Sequence, residues 1–444
     1  MESIKKIGIT GAGLVGSLLS IYLAKRGYQV SVFERRGDMR KHSLYSGRSI
    51  NLALSNRGLR ALAEVGMADQ LKVNAIPMKG RLMHDTKGEL TFQPYGKQGQ
   101  YINSVSRAGL NMVLMNEAER LGVEFYFDHR CTHVDFDKNE LTLQQGNSTF
   151  HKAFDWIFGS DGAFSAVRLG MQLSDRFDMS QHYIEHGYKE LRIPPNDTGG
   201  FMMEPNALHI WPRDSFMLIA LPNPDSTFTC TLFLPFEGPV SFAQLGTPDA
   251  VTTFFETYFP DVLPLMPTLH EDFRDNPTGS LVTVRAYPWV KQRTTLIGDA
   301  AHAIVPFYGQ GMNAGFEDCR VLNELLTTHG ENWPVAMDHF QRLRKPDADA
   351  VAQLAFDNFI EMRDLVADED FLFRKKIEAK LHELFPDRWI PLYSMVTFRD
   401  DIRYSEAYAV GQKQKQIMDE VMRKPGLKTN WLNLNFEDIV NQLT

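Results

Sequence analysis

The chain has 444 residues, enough for about two or three structural units, and a net charge of -8 that offers no general attraction to phosphate backbones or anionic lipid, so nucleic acid is not an expected partner. Hydrophobic residues at 43% and charged residues at 23% match ordinary globular domains and exclude collagen-like, disordered and disulfide-scaffold classes. Three widely spaced cysteines, Cys131, Cys230 and Cys319, form neither a zinc site nor a disulfide framework, and no signal-like or membrane-length apolar run occurs, so the expected protein is soluble and cytoplasmic with no membrane anchor.

In chain order, a short β-branched strand over 5–10 runs into GAGLVG, then a helix over 14–26 stopped by Gly27 and a second strand over 29–33. That is the order and length of a βαβ unit. Helical patterns follow over about 59–68 and 107–121, the latter stopped by Gly122. The stretch 124–154 alternates polar and apolar residues with turns at DKNE and QGNS, which predicts an antiparallel hairpin set. A strand over 156–158 delivers the chain to GSDGAFSAVR, and short strands broken by Pro and Asn fill 188–236. LVTVRAY and RTTLIGDAAH then read as strands, and from Gly311 onward the sequence is mostly helical.

Gly11, Gly13 and Gly16 form GxGxxG between strand and helix, and Glu34 closes the second strand. The glycines permit a tight turn and close approach of a pyrophosphate to the positive helix N-terminus, while Glu34 can accept hydrogen bonds from an adenosine ribose. A carboxylate there opposes a ribose 2'-phosphate, although Arg35 and Arg36 beside it leave that partly open. The motif alone does not separate FAD from NAD(P). Further on, Asp161 in GSDGAFSAVR and Asp299 in LIGDAAHAIVPFYGQGMNAGFED each follow a short strand. GQGMNAG misses GxGxxG by one residue, so no second nucleotide fold is evident. His302, alone beside alanines, reads as a packed core residue rather than a base.

Together these elements resemble the three fingerprints of the single-component flavin-dependent aromatic hydroxylases. The turn at Gly309 and Gly311, leading into a helix at Met312, Asn313 and Ala314, would then aim backbone N–H groups at a flavin edge that becomes anionic on reduction. The resemblance narrows further. GRSINLALSNRG (47–58), a PM-x-x-R element ending at Arg81, QPYG around Tyr95, SVSR ending at Arg107, HGYKEL, EPNALHIWPR, FTCTLFLPFE, DNFIEMR (357–363) and IPLYSMVTF (390–398) occur in this order. Over residues 5 to about 410 the chain is similar to the kynurenine 3-monooxygenase family in its soluble bacterial form, with a C-terminal tail too polar to span a bilayer.

What that resemblance implies is an α/β fold, a Rossmann-like FAD-binding domain interleaved with a β-sheet-rich substrate domain, plus a helical C-terminal region. The implied partition is 1–75, 101–180 and 281–345 for FAD, 76–100 and 181–280 for substrate, and 346–444 for the helical region. FAD is the implied cofactor and NADPH a transient co-substrate. The implied reaction takes L-kynurenine and O2 to 3-hydroxy-L-kynurenine through a flavin C4a-hydroperoxide, the alternative being another aromatic amino acid or acid. Implied FAD contacts are Gly11, Gly13, Val15, Gly16, Glu34, Arg35, Arg36, Ala53, Arg107, Asp161, Asp299, Gly311, Met312 and Asn313, with Cys131 and Ala166 as backbone candidates. Arg81, Tyr95, Asn358 and Tyr393 would hold the amino acid end of the substrate, Arg81 by gripping its carboxylate. Pro306 and Phe307, just before the glycine turn, either line the flavin-facing wall of the substrate pocket or serve as packed core residues. No side chain is assigned as a catalytic base, and no motif encodes an oligomeric state.

Overall fold

A computed structural model describes residues 4–41, 51–72, 75–96, 99–361 and 369–443; the start of GRSINLALSNRG and the end of DNFIEMR lie outside these. Lys6–Thr10 sits inside a six-stranded sheet of order Val290–Lys291, Thr294–Leu296, Trp156–Gly159, Lys6–Thr10, Gln29–Phe33 and Glu124–Tyr126. All its pairings are parallel except the outermost, between Val290–Lys291 and Thr294–Leu296. Ile7, Ile9, Val30, Val32, Ile157 and Phe158 of these strands are all buried, in one core with residues of the surrounding helices and with Val134, Leu141 and Leu143. The helices Leu14–Lys25, Arg107–Arg120 and Gly311–Thr328 pack together and share this core with Trp156, Phe316 and Trp333.

Three elements differ from the sequence expectation: of RTTLIGDAAH only Thr294–Leu296 is strand, and Gly298 with φ +60° turns the chain into a short helix over Asp299–His302. Glu124–Tyr126 belongs to no hairpin; it adds a parallel edge to Ser31–Phe33, a pairing with residues far back in the chain that local alternation cannot reveal. Only Arg130–Asp135, Glu140–Gln145 and Ser148–Ala153 form the antiparallel set. The helix expected over 59–68 starts earlier, at Asn56, and ends at Glu64, where Gly66 with φ +81° breaks it from the short helix Ala68–Lys72.

A seven-stranded sheet runs Gly279–Tyr287, Asp178–Ile193, Phe228–Pro235, Phe216–Pro222, Ala207–Arg213, Gly80–His84 and Leu90–Pro94. Its pairings are antiparallel except where Ala207–Arg213 meets Gly80–His84 in parallel, which stitches an early hairpin onto the later strands. One core, with Trp211, Leu218, Phe228 and Leu232, is closed by Phe254, Phe255 and Phe259 from helix Pro248–Tyr258 and its end. Another joins Ile184, Met217 and Phe233 to Phe307, Tyr308 and helix Trp333–Ile360. Asn51–Leu54, Ile102–Ser106 and Ile76–Met78 form a small antiparallel sheet. The C-terminal helices build a further core around Ile377, Leu381, Trp389 and Met418. No helix among the described residues is long and apolar enough to cross a membrane.

Candidate active site

The three glycines of the first loop do different jobs. Gly11 has φ +92°, and a Cβ there would lie 2.6 Å from the Ser160 carbonyl oxygen; a Cβ on Gly16 would lie 2.0 Å from the Gly11 oxygen. Both are demanded by the protein's own packing. Gly13 is not: its φ is an ordinary -73°, and nothing lies within 4 Å of its Cβ direction. It faces open space at the uncapped N-terminus of helix Leu14–Lys25, where an anion is favoured. Glu34 braces the loop, Oε2 accepting from Ala12 N at 3.0 Å and Oε1 from Arg36 N at 3.0 Å, with lone pairs left for ribose hydroxyls. Arg35, Arg36 and Arg107 are exposed.

Val15 fills a notch between two glycines, whose Cβ atoms would lie 3.0 Å (Gly298) and 2.5 Å (Gly315) from its methyls. It therefore sets how closely the first helix meets the third motif. Asp161 accepts from Ala166 N at 2.7 Å, so that N–H is already used, while its Oδ1 is buried with no hydrogen-bond partner among the described residues. Burial pushes the Asp161 carboxyl up. Burial, with Asp161 adding to it, pushes the Cys131 thiol up to about 12, so Cys131 is a neutral thiol. Asp299 follows Gly298, which has φ +60°, and is exposed at the start of the short helix Asp299–His302.

Gly309 adopts φ +68° and is pressed against Ala53, to whose methyl a Cβ would come within 3.3 Å. Helix Gly311–Thr328 begins directly after this turn with no side-chain cap, leaving the first-turn N–H groups of Gly311, Met312 and Asn313 without helical acceptors. The buried Asn313 side chain ties the turn to its neighbour strand: Oδ1 accepts from Ser55 N at 3.0 Å, and Nδ2 donates to Ala53 O at 2.8 Å and Gly309 O at 3.0 Å. What Asn313 offers a cofactor is its backbone.

Arg81, Tyr95 and Tyr393 come together from three distant segments. The Arg81 guanidinium lies 4.7 Å from the Tyr393 ring centre and 5.7 Å from that of Tyr95, and the two rings stack at 5.5 Å and 13°. Tyr308 stacks on Tyr393 at 5.5 Å. The Tyr95 hydroxyl is buried with no hydrogen-bond partner among the described residues. Burial pushes the Tyr95, Tyr393 and Tyr308 phenols up, so all three are neutral. Burial works against the Arg81 charge, but Tyr393, Tyr95 and Glu361 outweigh it and the net direction is upward. Met78, Ile102, Leu221 and Phe398 give the cluster an apolar surround. Asn358 sits one residue from Phe359 on helix Trp333–Ile360 and donates Nδ2 to the Phe307 carbonyl at 2.6 Å; Phe307 packs on Phe359 at 4.5 Å and Phe233 at 5.0 Å. Asn358 thus joins the Pro306–Tyr308 turn.

Sequence reasoning missed a buried ionic network behind this turn. Arg57 pairs with Glu317 at 2.8 Å, Glu317 with Arg344 at 2.7 Å, and Arg344 with Asp318 at 2.8 Å and Asp347 at 3.1 Å. Asp347 also meets Arg403 at 3.2 Å. His302 joins through Asp318 at 2.6 Å and packs on Trp289, which makes it a core residue. Burial pushes the Asp318 carboxyl up, but His302 and Arg344 outweigh it, and the net direction is down. The available signal was GFEDCRVL, where Glu317 and Asp318 stand side by side between Phe316 and Cys319; such adjacent carboxylates, once buried, require cations.

Comparison with known proteins agrees with this architecture. The family model described as "FAD binding domain" matches residues 5–222 and 266–355. The kynurenine 3-monooxygenase of Christiangramia forsetii is 48% identical over 446 residues, covering 100% of this chain and 99% of its own. That of Myxococcus xanthus is 50% identical over 420 residues, covering 94% and 90%. Among solved structures, the tetrameric form of 2-methyl-3-hydroxypyridine-5-carboxylic acid oxygenase is similar in fold, with a TM-score of 0.68 at 21% identity over 82% of this chain and 94% of that one. Identity of this extent, along the whole chain and on this fold, places it in the kynurenine 3-monooxygenase family of FAD-dependent monooxygenases.

Proposed function

We propose that this chain hydroxylates L-kynurenine to 3-hydroxy-L-kynurenine in the cytoplasm, using FAD as cofactor and NADPH and O2 as co-substrates. The observation that carries the substrate assignment is the Arg81 cation beside the stacked Tyr95 and Tyr393 rings, with the Tyr95 hydroxyl buried and unpartnered among the described residues. A fixed cation with neutral phenols in an apolar surround suits a carboxylate attached to an aromatic body.

The residues present fit FAD. The open space over Gly13 and the helix end there suit the pyrophosphate, Glu34 suits the ribose, Asp299 is free to face the ribityl chain, and the first turn at Gly311 suits the flavin pyrimidine edge. When bound, FAD supplies hydride acceptance from NADPH and reaction with O2. The protein supplies position and dryness. Arg81 grips the substrate carboxylate bidentately, Tyr95 and Tyr393 donate hydroxyl bonds, and Asn358, anchored on Phe307, sets the amino group. Phe307, Tyr308 and Phe398 keep water from the reacting ring. The substrate's own aniline nitrogen activates the adjacent ring carbon, so no side chain need act as a strong base. In this reading 1–75, 101–180 and 281–345 hold FAD, 76–100 and 181–280 roof the substrate, and 346–444 closes the pocket.

The test is NADPH oxidation by the FAD-loaded enzyme in air, with and without L-kynurenine, with the product followed by mass spectrometry. Strong stimulation and a product one oxygen heavier are expected. Stimulation that yields only H2O2, or none at all, would refute the assignment.

A further inference from the structure

Arg57 lies 1% exposed at the second position of helix Asn56–Glu64, directly after the strand bearing Ala53. One guanidinium nitrogen pairs with Glu317 on helix Gly311–Thr328, the helix whose first turn is assigned to the flavin. The rest of the fork turns the other way. Nε donates to Val396 O at 2.9 Å, and Nη2 donates to Arg399 O at 3.1 Å and to Ile402 O. Next to it, Asn56 Nδ2 donates to Phe398 O at 3.0 Å. These acceptors lie at and just beyond the C-terminal end of helix Leu392–Phe398, where carbonyls lack helical donors and a cation is favoured. Tyr393 is the second residue of that helix. The Tyr404 ring stacks under the guanidinium at 4.1 Å, and its hydroxyl bonds Gln310 at 2.9 Å, immediately before Gly311.

We propose that Arg57 is a positioning residue that couples the substrate pocket to the flavin site. It clips the short helix carrying Tyr393 to the helix that faces the flavin, so Tyr393 holds its place relative to the cofactor only while the fork is complete. A lysine would keep the buried charge, but a single ammonium cannot reach Glu317 and the spread of carbonyls together. The proposal rests on the reading of Tyr393 as a substrate contact.

The test compares FAD-loaded wild type, Arg57→Lys, Asn56→Ala and Arg81→Ala in NADPH oxidation with L-kynurenine, measuring FAD per chain, KM and the share of NADPH that ends as H2O2. Arg57→Lys is expected to keep wild-type FAD content, raise KM about tenfold, the effect of losing one charge-assisted hydrogen bond, and raise the H2O2 share severalfold. Asn56→Ala, which disturbs no buried charge, is expected to move both in the same direction by about two- to threefold, the effect of one neutral bond. Wild-type KM and H2O2 share in both variants, with Arg81→Ala impaired, would overturn the coupling role alone. Loss of FAD in step with loss of coupling would also overturn it, by making Arg57 merely structural. An Arg81→Ala enzyme with unchanged KM would overturn the pocket reading and this proposal with it.

Discussion

Replacing Arg81 by Ala removes the one cation among the described residues that is placed against both Tyr95 and Tyr393. At about 4 Å and an effective dielectric constant of about 20, a charge pair is worth about 4 kcal/mol before the cost of stripping water from the substrate carboxylate. Two charge-assisted bonds of about 1.5–3 kcal/mol each, reduced by that same cost, lead to a net loss of about 3–4 kcal/mol. Kynurenine binding should therefore weaken by about two to three orders of magnitude. Arg81→Lys keeps the charge and loses the fork, so its loss should be about tenfold. The assay is titration of the bound-flavin absorbance with L-kynurenine and, separately, with its analogue lacking the carboxylate. The analogue should bind wild type and Arg81→Ala alike, because the missing group is the one Arg81 addresses. Kynurenine affinity within threefold of wild type in an FAD-loaded Arg81→Ala enzyme would refute the carboxylate clamp.

The glycine loop makes a paired prediction: Gly13→Ala should fold and lose FAD, because its new methyl meets no protein atom within 4 Å, whereas Gly16→Ala should fail to accumulate as soluble protein because its methyl would lie 2.0 Å from the Gly11 oxygen. Soluble yield and FAD per chain separate the two. Asp318→Asn should destabilise the protein by about 3 kcal/mol, since it strips a carboxylate from the buried Arg344, which keeps Glu317 and Asp347. Because the folded Asp318 value is lowered, its stabilisation is present above the unfolded value of about 3.9 and is lost as pH falls through the folded one, so the Tm gap between wild type and variant should close in acid. His209 sits in a buried chain, Nε2 to Glu204 O at 2.8 Å and Nδ1 to His84 at 2.9 Å, and His84 meets Asp261 at 2.9 Å. Burial, with His84 adding to it, pushes the His209 imidazole down to about 4 against the opposing Glu204 carbonyl. The unfolded chain then binds the proton first, so about 3 kcal/mol present above pH about 6.5 should be lost as pH falls toward 4. Thermal unfolding of His209→Gln should show a flatter pH dependence over that window, and an equally steep one would reject the assignment.

Strand, loop and helix boundaries around Gly11 to Phe33 were legible because the parallel pairing of Lys6–Thr10 with Gln29–Phe33 and the turns at Gly11 and Gly27 lie within one βαβ unit. Glu124–Tyr126 was not, since its place depends on Ser31–Phe33, and three residues carry too little pattern to name a partner. The same limit hides the parallel seam between Gly80–His84 and Ala207–Arg213, which puts Arg81 in the large sheet. Charge was the harder problem. Arg57 on a short amphipathic helix reads as a solvated side chain until Glu317 and the carbonyls past Val396 close over it.

Motif resemblance has a further limit, visible in Val15 and Asn313. Both stand among the residues it assigns to FAD, yet the Val15 side chain spans Gly298 and Gly315, and the Asn313 amide spans Ser55, Ala53 and Gly309. A side chain whose hydrogen bonds are spent inside the protein acts on a cofactor by shaping the cradle, whereas Gly13 acts by leaving it empty. The two roles separate in an experiment: Asn313→Ala should lower Tm and FAD affinity together, because Ser55 N and two carbonyls lose their partner, with a stability cost of about 2–3 kcal/mol for the stranded groups. Gly13→Ala should lower FAD affinity at unchanged apoprotein Tm. An Asn313→Ala apoprotein as stable as wild type, yet unable to hold FAD, would show that the amide contacts the cofactor directly and would overturn its reading as a brace.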